Sequence, residues 1–502
     1  MKYGLNDTTI EAIQKVFEIN SKIDEVILFG SRAKGNYKEG SDIDLALKGR
    51  NINFDDIHSL SRKLDELNLP YKIDLINYST IKDKDVVEHI DRVGIVFFNH
   101  WKVIKFGTIP FNWKFIPATE FCLKVTDGTH DSPKQQPTGK YLITSKHIKG
   151  RNIDFEHAYL ISENDYDKIN LRSSVDQWDV IISMIGEYCG FSFVERNKEI
   201  NYAVKNVGLF KTGNKDKAFW LYYFLNSNIG RFILEINKSG TSQPYISLGA
   251  LRELPILIPN SEKEGEQIVD VLRSLDDKID FLHRQNKTLE QLAETLFRQW
   301  FVEEAEYSWE LGKIDDVVSV KGGTTPSTTK PEYWDGNIYW TSPRDLSNSD
   351  SIFLFDTERK ISEIGLAQIG SGLLPIGTVL LSSRAPIGYL TITEIPVAIN
   401  QGYIAIICDK IVSNYFMFLW CKANMNDIEN AGNGSVFQEI SKTAFKSLDI
   451  LIPTKEKIKE FDKTVEPIFS KIKSNIIQIK QLTQLKDTLL PKLMSGEVKV
   501  KS

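Results

Sequence analysis

The chain has 502 residues, 41% of them apolar and 26% charged, which is enough material for about three cored domains. Its 62 basic residues stand against 67 acidic ones for a net charge of −5, so it is not a uniformly basic nucleic-acid binder, and any positive surface must be local. Four scattered cysteines (Cys122, Cys189, Cys408, Cys421) have neither metal-ligand nor disulfide-framework spacing, and no apolar run approaches the roughly 20 residues of a membrane helix. A cytoplasmic protein without membrane contact is expected.

The opening MKYGLNDTTIEAIQKVF reads as an amphipathic helix without an apolar signal region. Residues 24–29 form a buried-strand run ending at Gly30-Ser31. Residues 41–47 form a second strand, with Asp42 and Asp44 two positions apart and therefore on one face. A third strand, YKIDLIN, carries Asp74. Carboxylates crowded in this way repel unless a cation lies between them. A Gly-Ser turn lets backbone N–H groups approach phosphate oxygens. The set predicts a site for Mg²⁺ and a nucleoside triphosphate.

GSRAKG, SDIDL and KIDLI, in that order within residues 10–100, resemble the minimal nucleotidyltransferase family of the polymerase-beta-like superfamily. The resemblance implies that Gly30 and Ser31 bind phosphate, with Arg32 and Lys34 beside it. It implies that Asp42, Asp44 and Asp74 are the metal-binding, catalytic carboxylates, Asp74 also serving as base toward the incoming hydroxyl. Mg²⁺ and ATP are the expected cofactors, and nucleotidylation of a partner is the expected activity. The acceptor is not legible. A silent, retained domain is the competing reading, and the presence of all three carboxylates opposes it.

Past a mixed connector the chain turns β-rich. VTDGTHDSPKQQPTGKYLITSKHIKG alternates loops and short strands, and DQWDVIISMI (176–185) is strand-like. AFWLYYFL (218–225) reads as a buried helix, and SGTSQPYISLGALRELPILIP leads into a long helix. Within 262–301, Ile268, Leu272, Leu275, Ile279, Leu282, Asn286, Leu289, Ala293, Leu296 and Trp300 alternate spacings of four and three, a coiled-coil seam. Asn286 is polar; a buried Asn there costs stability and fixes register.

The same order then recurs. GGTTPS and IYWTSPRDL open it, LLSSRAPIG and NYFMFLWCKA follow, and NGSVFQEISKTAFKSLDILIP ends it. A second seam closes the run: Phe461, Val465, Ile468, Ile472, Asn475, Ile479, Leu482, Lys486, Leu489 and Leu493, each 193 residues after its counterpart. The shared ILIP segments are offset by 194, so one residue is lost between strand and helix. A constant offset predicts a duplication. Pro467, inside the second run, predicts a kink or the true helix start.

VTDGTHDSP, GGTTPS, IYWTSPRDL, LLSSRAPIG, both ILIP segments and DTLLPKLMSGEV resemble, over residues 110–502, the specificity subunit of type I restriction-modification systems. The resemblance implies two target recognition domains, each reading half of a split site in double-stranded DNA, and two helices pairing antiparallel as a spacer. It also implies methyltransferase subunits as partners, with a restriction motor subunit able to join, and no cofactor in this region. No methyltransferase, nuclease or P-loop motif occurs there, so modification chemistry must come from partners.

The expected fold is α+β and multidomain. An α/β nucleotidyltransferase domain (1–100) and a linker (101–112) precede the first recognition domain (113–260) and first spacer helix (261–303). The second recognition domain (304–454) and second spacer helix (455–496) follow. The seam of 33 residues makes a rod of about 50 Å, long enough to set two domains about one DNA turn, roughly 34 Å, apart. Candidate DNA contacts are Thr129, His130, Lys134, Ser145, Lys146, Thr325, Ser327 and Arg344, on loops 126–140, 145–149, 322–330 and 341–345. His130 has no Cys or His neighbour at ligand spacing and is not expected to bind metal. Tyr222, Tyr223, Phe224, Phe416 and Trp420 are expected in the core. The alternative function is a nucleotidyltransferase with the repeat region as a tether to DNA or protein.

Overall fold

The computed structural model describes residues 2–500 except 19, 21, 50, 100, 105–106, 241, 348–350, 385 and 433–437, and except the side chains of 18, 101–104 and 107. Thr241 of SGTSQPYIS, Ala385 of LLSSRAPIG, the NGSVF segment and part of the connector thus lie outside the described residues. The chain divides into two compact units, Met1–Leu275 with Leu485–Ser502, and Asp276–Gln484.

The N-terminal sheet runs in the order β3 (Ile73–Asn77), β2 (Ile43–Gly49), β1 (Ile23–Phe29), β4 (Ile95–Asn99). β2 is antiparallel to β1 and parallel to β3. Alternation sends Val26, Leu28, Leu45 and Leu47 into one core with Phe17, Leu60 and Leu64 of helices α1 (Asp7–Glu18) and α3 (Phe54–Asp65). Ile27 and Ala46 face the other way, onto Ile90 of α4 (Lys84–Val93). β1 ends at Gly30, whose φ of +72° turns the chain into the short helix α2 (Gly30–Lys34).

The two following domains share one topology. The first has a four-stranded sheet ordered Lys124–Asp127, Val207–Lys211, Asp179–Ser183, Ser192–Val194. The second orders Ser319–Gly322, Tyr403–Ile407, Val379–Ser383, Ile387–Thr393 in the same way and adds Phe353–Leu354 at the edge. A three-stranded sheet accompanies each, centred on Lys140–Thr144 or Trp334–Thr341, and in both the third strand pairs parallel to the centre. A two-stranded ribbon joins the first strand of each domain to its ILI segment, Pro255–Ile258 or Asp449–Ile452. The same connectivity twice is what a duplication produces.

Each domain buries one apolar helix, Lys215–Asn226 or Asn414–Ala423. Tyr222, Tyr223, Phe224, Phe416 and Trp420 are all core residues. Caps define both starts: Asn214 accepts from the Lys217 N–H, and Ser413 from the Phe416 N–H.

The first long helix is Glu262–Arg298, continued by a π turn over Gln299–Glu303. The second is Lys455–Met494. Pro467 does not mark its start, because the helix begins at Lys455 and runs through the proline. The helices pair antiparallel. The Asn475 amide donates to Asn286 Oδ1 at 2.8 Å, and further along the Trp300 and Phe461 rings lie 5.7 Å apart. As one residue number rises its partner's falls. Ile268 and Leu272 accordingly share a core with Leu493 and Met494. The π turn brings Phe301 against Phe416 and Phe461, at 4.8 Å between ring centroids in each case.

Candidate functional site

The N-terminal site follows from register. Phe29 at the end of β1 opposes Asp44 of β2, and Asp44 opposes Asp74 of β3. Asp44 therefore lies directly over Gly30. A Cβ at Gly30 would come within 2.1 Å of Asp44 Oδ2, so only glycine fits this turn. Asp42 lies two residues before Asp44 and is exposed. The Asp44 carboxyl is pushed above its ordinary value by burial first, then by the charges of Asp74 and Asp42; Lys72 and Arg32 pull it down.

The positive charge here comes from Lys72, whose ammonium contacts both Asp74 oxygens at 2.8 and 2.9 Å. That bond raises the Lys72 pKa. Among the described residues no trio of Asp, Glu, His or Cys side chains converges on one point. The donor set nevertheless suits a hard divalent cation. It offers oxygens only, carries mutual repulsion that a cation relieves, and already attracts an ammonium.

Arg32 does not lie free beside a phosphate, as the resemblance implies. It is 2% exposed and turned inward. Its guanidinium donates to the Ser41 carbonyl at 2.6 and 3.0 Å, to Asp42 at 3.2 Å and to Tyr3 at 2.9 Å. Tyr37 and Tyr71 pack on it, with its carbon 5.5 and 4.7 Å from their ring centres. Arg32 thus positions the backbone that carries Asp42. Lys34 is exposed in the last turn of α2, and Ser31 is half-buried in its first.

In the duplicated domains the predicted loops gather at one end of each sheet. Gly128 presses on Val204: a Cβ would lie 2.4 Å from the Val204 carbonyl oxygen, which accepts from the Thr129 N–H at 3.0 Å. Then His130 Nδ1 meets Asn206 Oδ1 at 3.1 Å. The second domain repeats each step 195 residues on. A Cβ at Gly323 would lie 1.9 Å from the Ile399 oxygen, the Thr324 N–H donates to that oxygen at 3.1 Å, and Thr325 Oγ1 donates to Gln401 Oε1 at 2.7 Å. The structure thus brings Thr129 and His130 together, and Thr325 into the matching place. Asn206 and Gln401 were missed by the motif reading. The signal that finds them is the constant offset of 195.

The first domain has an addition. Asp127, 4% exposed, holds His130 Nε2 at 3.1 Å and pairs with Arg172. Gly322 stands at the corresponding position of the second domain. Ser145, expected on the surface, is 5% exposed. Its hydroxyl donates to the Asn206 carbonyl at 2.6 Å and accepts from the Met184 N–H at 3.3 Å, so it pins the loop from inside and does not face outward. His147 is buried beside it. Burial, and then the Lys146 charge, lower its pKa, and its Nδ1 accepts from the Thr144 N–H. Lys134 and Lys146 are exposed. Ser327 Oγ lies 2.8 Å from Thr329 Oγ1, and Arg344 pairs with Glu358 at 3.6 Å.

Together these features define a duplicated specificity scaffold behind a nucleotidyltransferase-type domain. A family model described as Type I restriction modification DNA specificity domain matches residues 112–291 and 306–486, and the chain belongs to that family. A model described as Polymerase beta, Nucleotidyltransferase matches residues 11–102. The HindI type I restriction enzyme specificity subunit of Haemophilus influenzae is 25% identical over 411 residues, 65% of this chain and 88% of that protein. The MjaIX specificity subunit of Methanocaldococcus jannaschii is 38% identical over 165 residues, which span 32% of this chain and 38% of that protein. In fold, the crystal structure of a type I system S subunit from M. genitalium matches with a TM-score of 0.50 at 15% identity, covering 78% of this chain and 97% of that one. No described helix is long and apolar enough to cross a membrane.

Proposed function

We propose that this chain recognises a two-part site in double-stranded DNA as the specificity subunit of a type I restriction-modification assembly. Methyltransferase subunits, and a restriction motor subunit with them, are its partners. The observation that carries the reading is the matched loop end in both domains: one glycine-pinned turn, presented twice, with different side chains on it. Two related readers on a long antiparallel helix pair suit two unlike half-sites. Thr129, His130, Lys134, Lys146, Thr325, Ser327 and Arg344 remain the candidate contacts, and Ser145 is removed from the set by its burial. Co-expression with methyltransferase subunits, followed by mapping of methylated bases, tests this. A split methylated sequence supports it; methylation independent of this chain refutes it.

The N-terminal domain is proposed to be an Mg²⁺-dependent nucleotidyltransferase that uses a triphosphate such as ATP and modifies a partner. Asp42, Asp44 and Asp74 would hold the cation, which when bound supplies positive charge at the triphosphate. Gly30 and Ser31 offer backbone N–H groups and a hydroxyl to phosphate oxygens. Lys34 adds charge beside them, and Arg32 holds the Asp42 backbone in place. For Asp74 to take a proton from an acceptor hydroxyl, Lys72 must first release it. Incubation with labelled ATP and Mg²⁺ tests the activity: label transferred to a partner and lost in Asp42→Ala supports it. No transfer to any partner or to free tRNA favours a silent domain.

A further inference from the structure

We infer that Asn206 and Gln401 each read an A·T pair within the half-site of their own domain, an inference that rests on the DNA reading proposed above. The frame beneath them is common to both copies: the same order of four strands, the same glycine pressed on a carbonyl, the same threonine N–H closing the turn. What differs is the pair on top, His130 with Asn206 in one copy and Thr325 with Gln401 in the other.

Both pairs are built alike. In each, the turn residue engages the oxygen of the side-chain amide, at 3.1 Å to Asn206 Oδ1 and 2.7 Å to Gln401 Oε1. The Thr325 hydroxyl donates to Gln401 Oε1 and so turns that amide's NH₂ away from it, while at Asn206 the His130 tautomer sets which end of the amide faces the ring. Among the described residues neither amide nitrogen meets a protein acceptor, and each oxygen keeps a second lone pair. An amide held by its oxygen, with NH₂ outward, matches the acceptor and donor that adenine shows in the major groove, N7 and N6. The two arms differ in reach by one methylene, so on equivalent turns they address a base pair at different depth.

Asn206 is half-buried on a left-handed residue with φ of +56°, which asparagine tolerates. Gln401 is exposed. Asp127 holds His130 in the first domain only.

The test selects duplexes from a library with two randomised blocks and a variable gap, using the full chain and two single variants. Gln401→Ala removes one amide. Asn206→Gly removes the other and keeps the left-handed turn available. The wild-type chain should return two unlike half-sites. Each variant should lose preference for an A·T pair at one position of one half-site, by roughly 10- to 100-fold in discrimination, with the other half-site unchanged. The unchanged half-site shows in the same molecule that the fold is intact. Wild-type and variant selections with identical half-sites overturn the assignment and leave the DNA reading standing. Weaker binding spread evenly over all positions also overturns it. A wild-type chain that returns no two-part site overturns the DNA reading itself, and the assignment with it.

Discussion

The antiparallel helix pair contains a buried asparagine layer whose contribution follows from its contacts. Asn475 is fully buried and Asn286 is 7% exposed. The Asn475 amide donates to Asn286 Oδ1 at 2.8 Å and to Gln285 Oε1 at 2.9 Å, while its own oxygen has no partner. The repeat offset of 193 maps Asn286 onto Ile479 and Asn475 onto Leu282, so the mirror-related layer is apolar. The asparagines therefore break the seam's two-fold symmetry and mark a single register. A slip by one heptad would set both amides against apolar seam residues, at about 1–3 kcal/mol for each stranded group. Asn286→Ala alone strands part of the Asn475 amide and should cost the same about 1–3 kcal/mol locally. At 1.36 kcal/mol per tenfold, that is roughly 5- to 150-fold faster native-state hydrogen exchange at the seam. Replacing both asparagines by leucine removes the orphan oxygen together with its partners and should restore protection to wild-type level or above. Exchange read on peptides from 276–298 and 461–484 measures this. Equal loss in the single variant and the double leucine variant would refute the argument, because stranding would then not be the cause.

Other outcomes are expected. The folded Asp44 carboxyl binds its proton more tightly than the unfolded one, because burial and then Asp74 and Asp42 raise its pKa. Its penalty is absent below the ordinary carboxylate range, builds as pH rises above that range and levels off above the folded value. Asp44→Asn should therefore raise the melting temperature at about pH 7 and lose that advantage toward about pH 4; an advantage independent of pH rejects the cause. Arg32→Met strands the carbonyls of Tyr3, Ser41 and Asp42 and should cost about 3 kcal/mol or more, measured by thermal or urea unfolding of the N-terminal domain signal. An effect on nucleotide binding with stability unchanged would return Arg32 to the phosphate. Gly30→Ala forces Asp44 aside and should abolish label transfer from ATP; retained transfer would show that the turn yields. Inserting one heptad into both long helices adds about 10 Å, so the preferred gap should grow by roughly three base pairs at 3.4 Å each. Insertion into one helix alone should ruin binding. A gap that does not move in selection contradicts the spacer role.

Periodicity in the sequence was sufficient for the helix pair and the duplication, because both are written in local spacing: heptads at a constant offset. The roles of single side chains were not, since they depend on what arrives from elsewhere in the chain. Arg32 sits in a phosphate-like motif, yet its donors are consumed by carbonyls of Tyr3, Ser41 and Asp42. Ser145 reads as an exposed loop serine until Asn206 and Met184 close over its hydroxyl. Pro467 warns of a helix end, while the packing of Phe461, Val465 and Phe469 into an aromatic core carries the helix through it. Spacing along the chain decides which elements form and how often they recur. Only folding, which brings together groups far apart in sequence, decides which polar atoms are already satisfied and which remain to face a ligand.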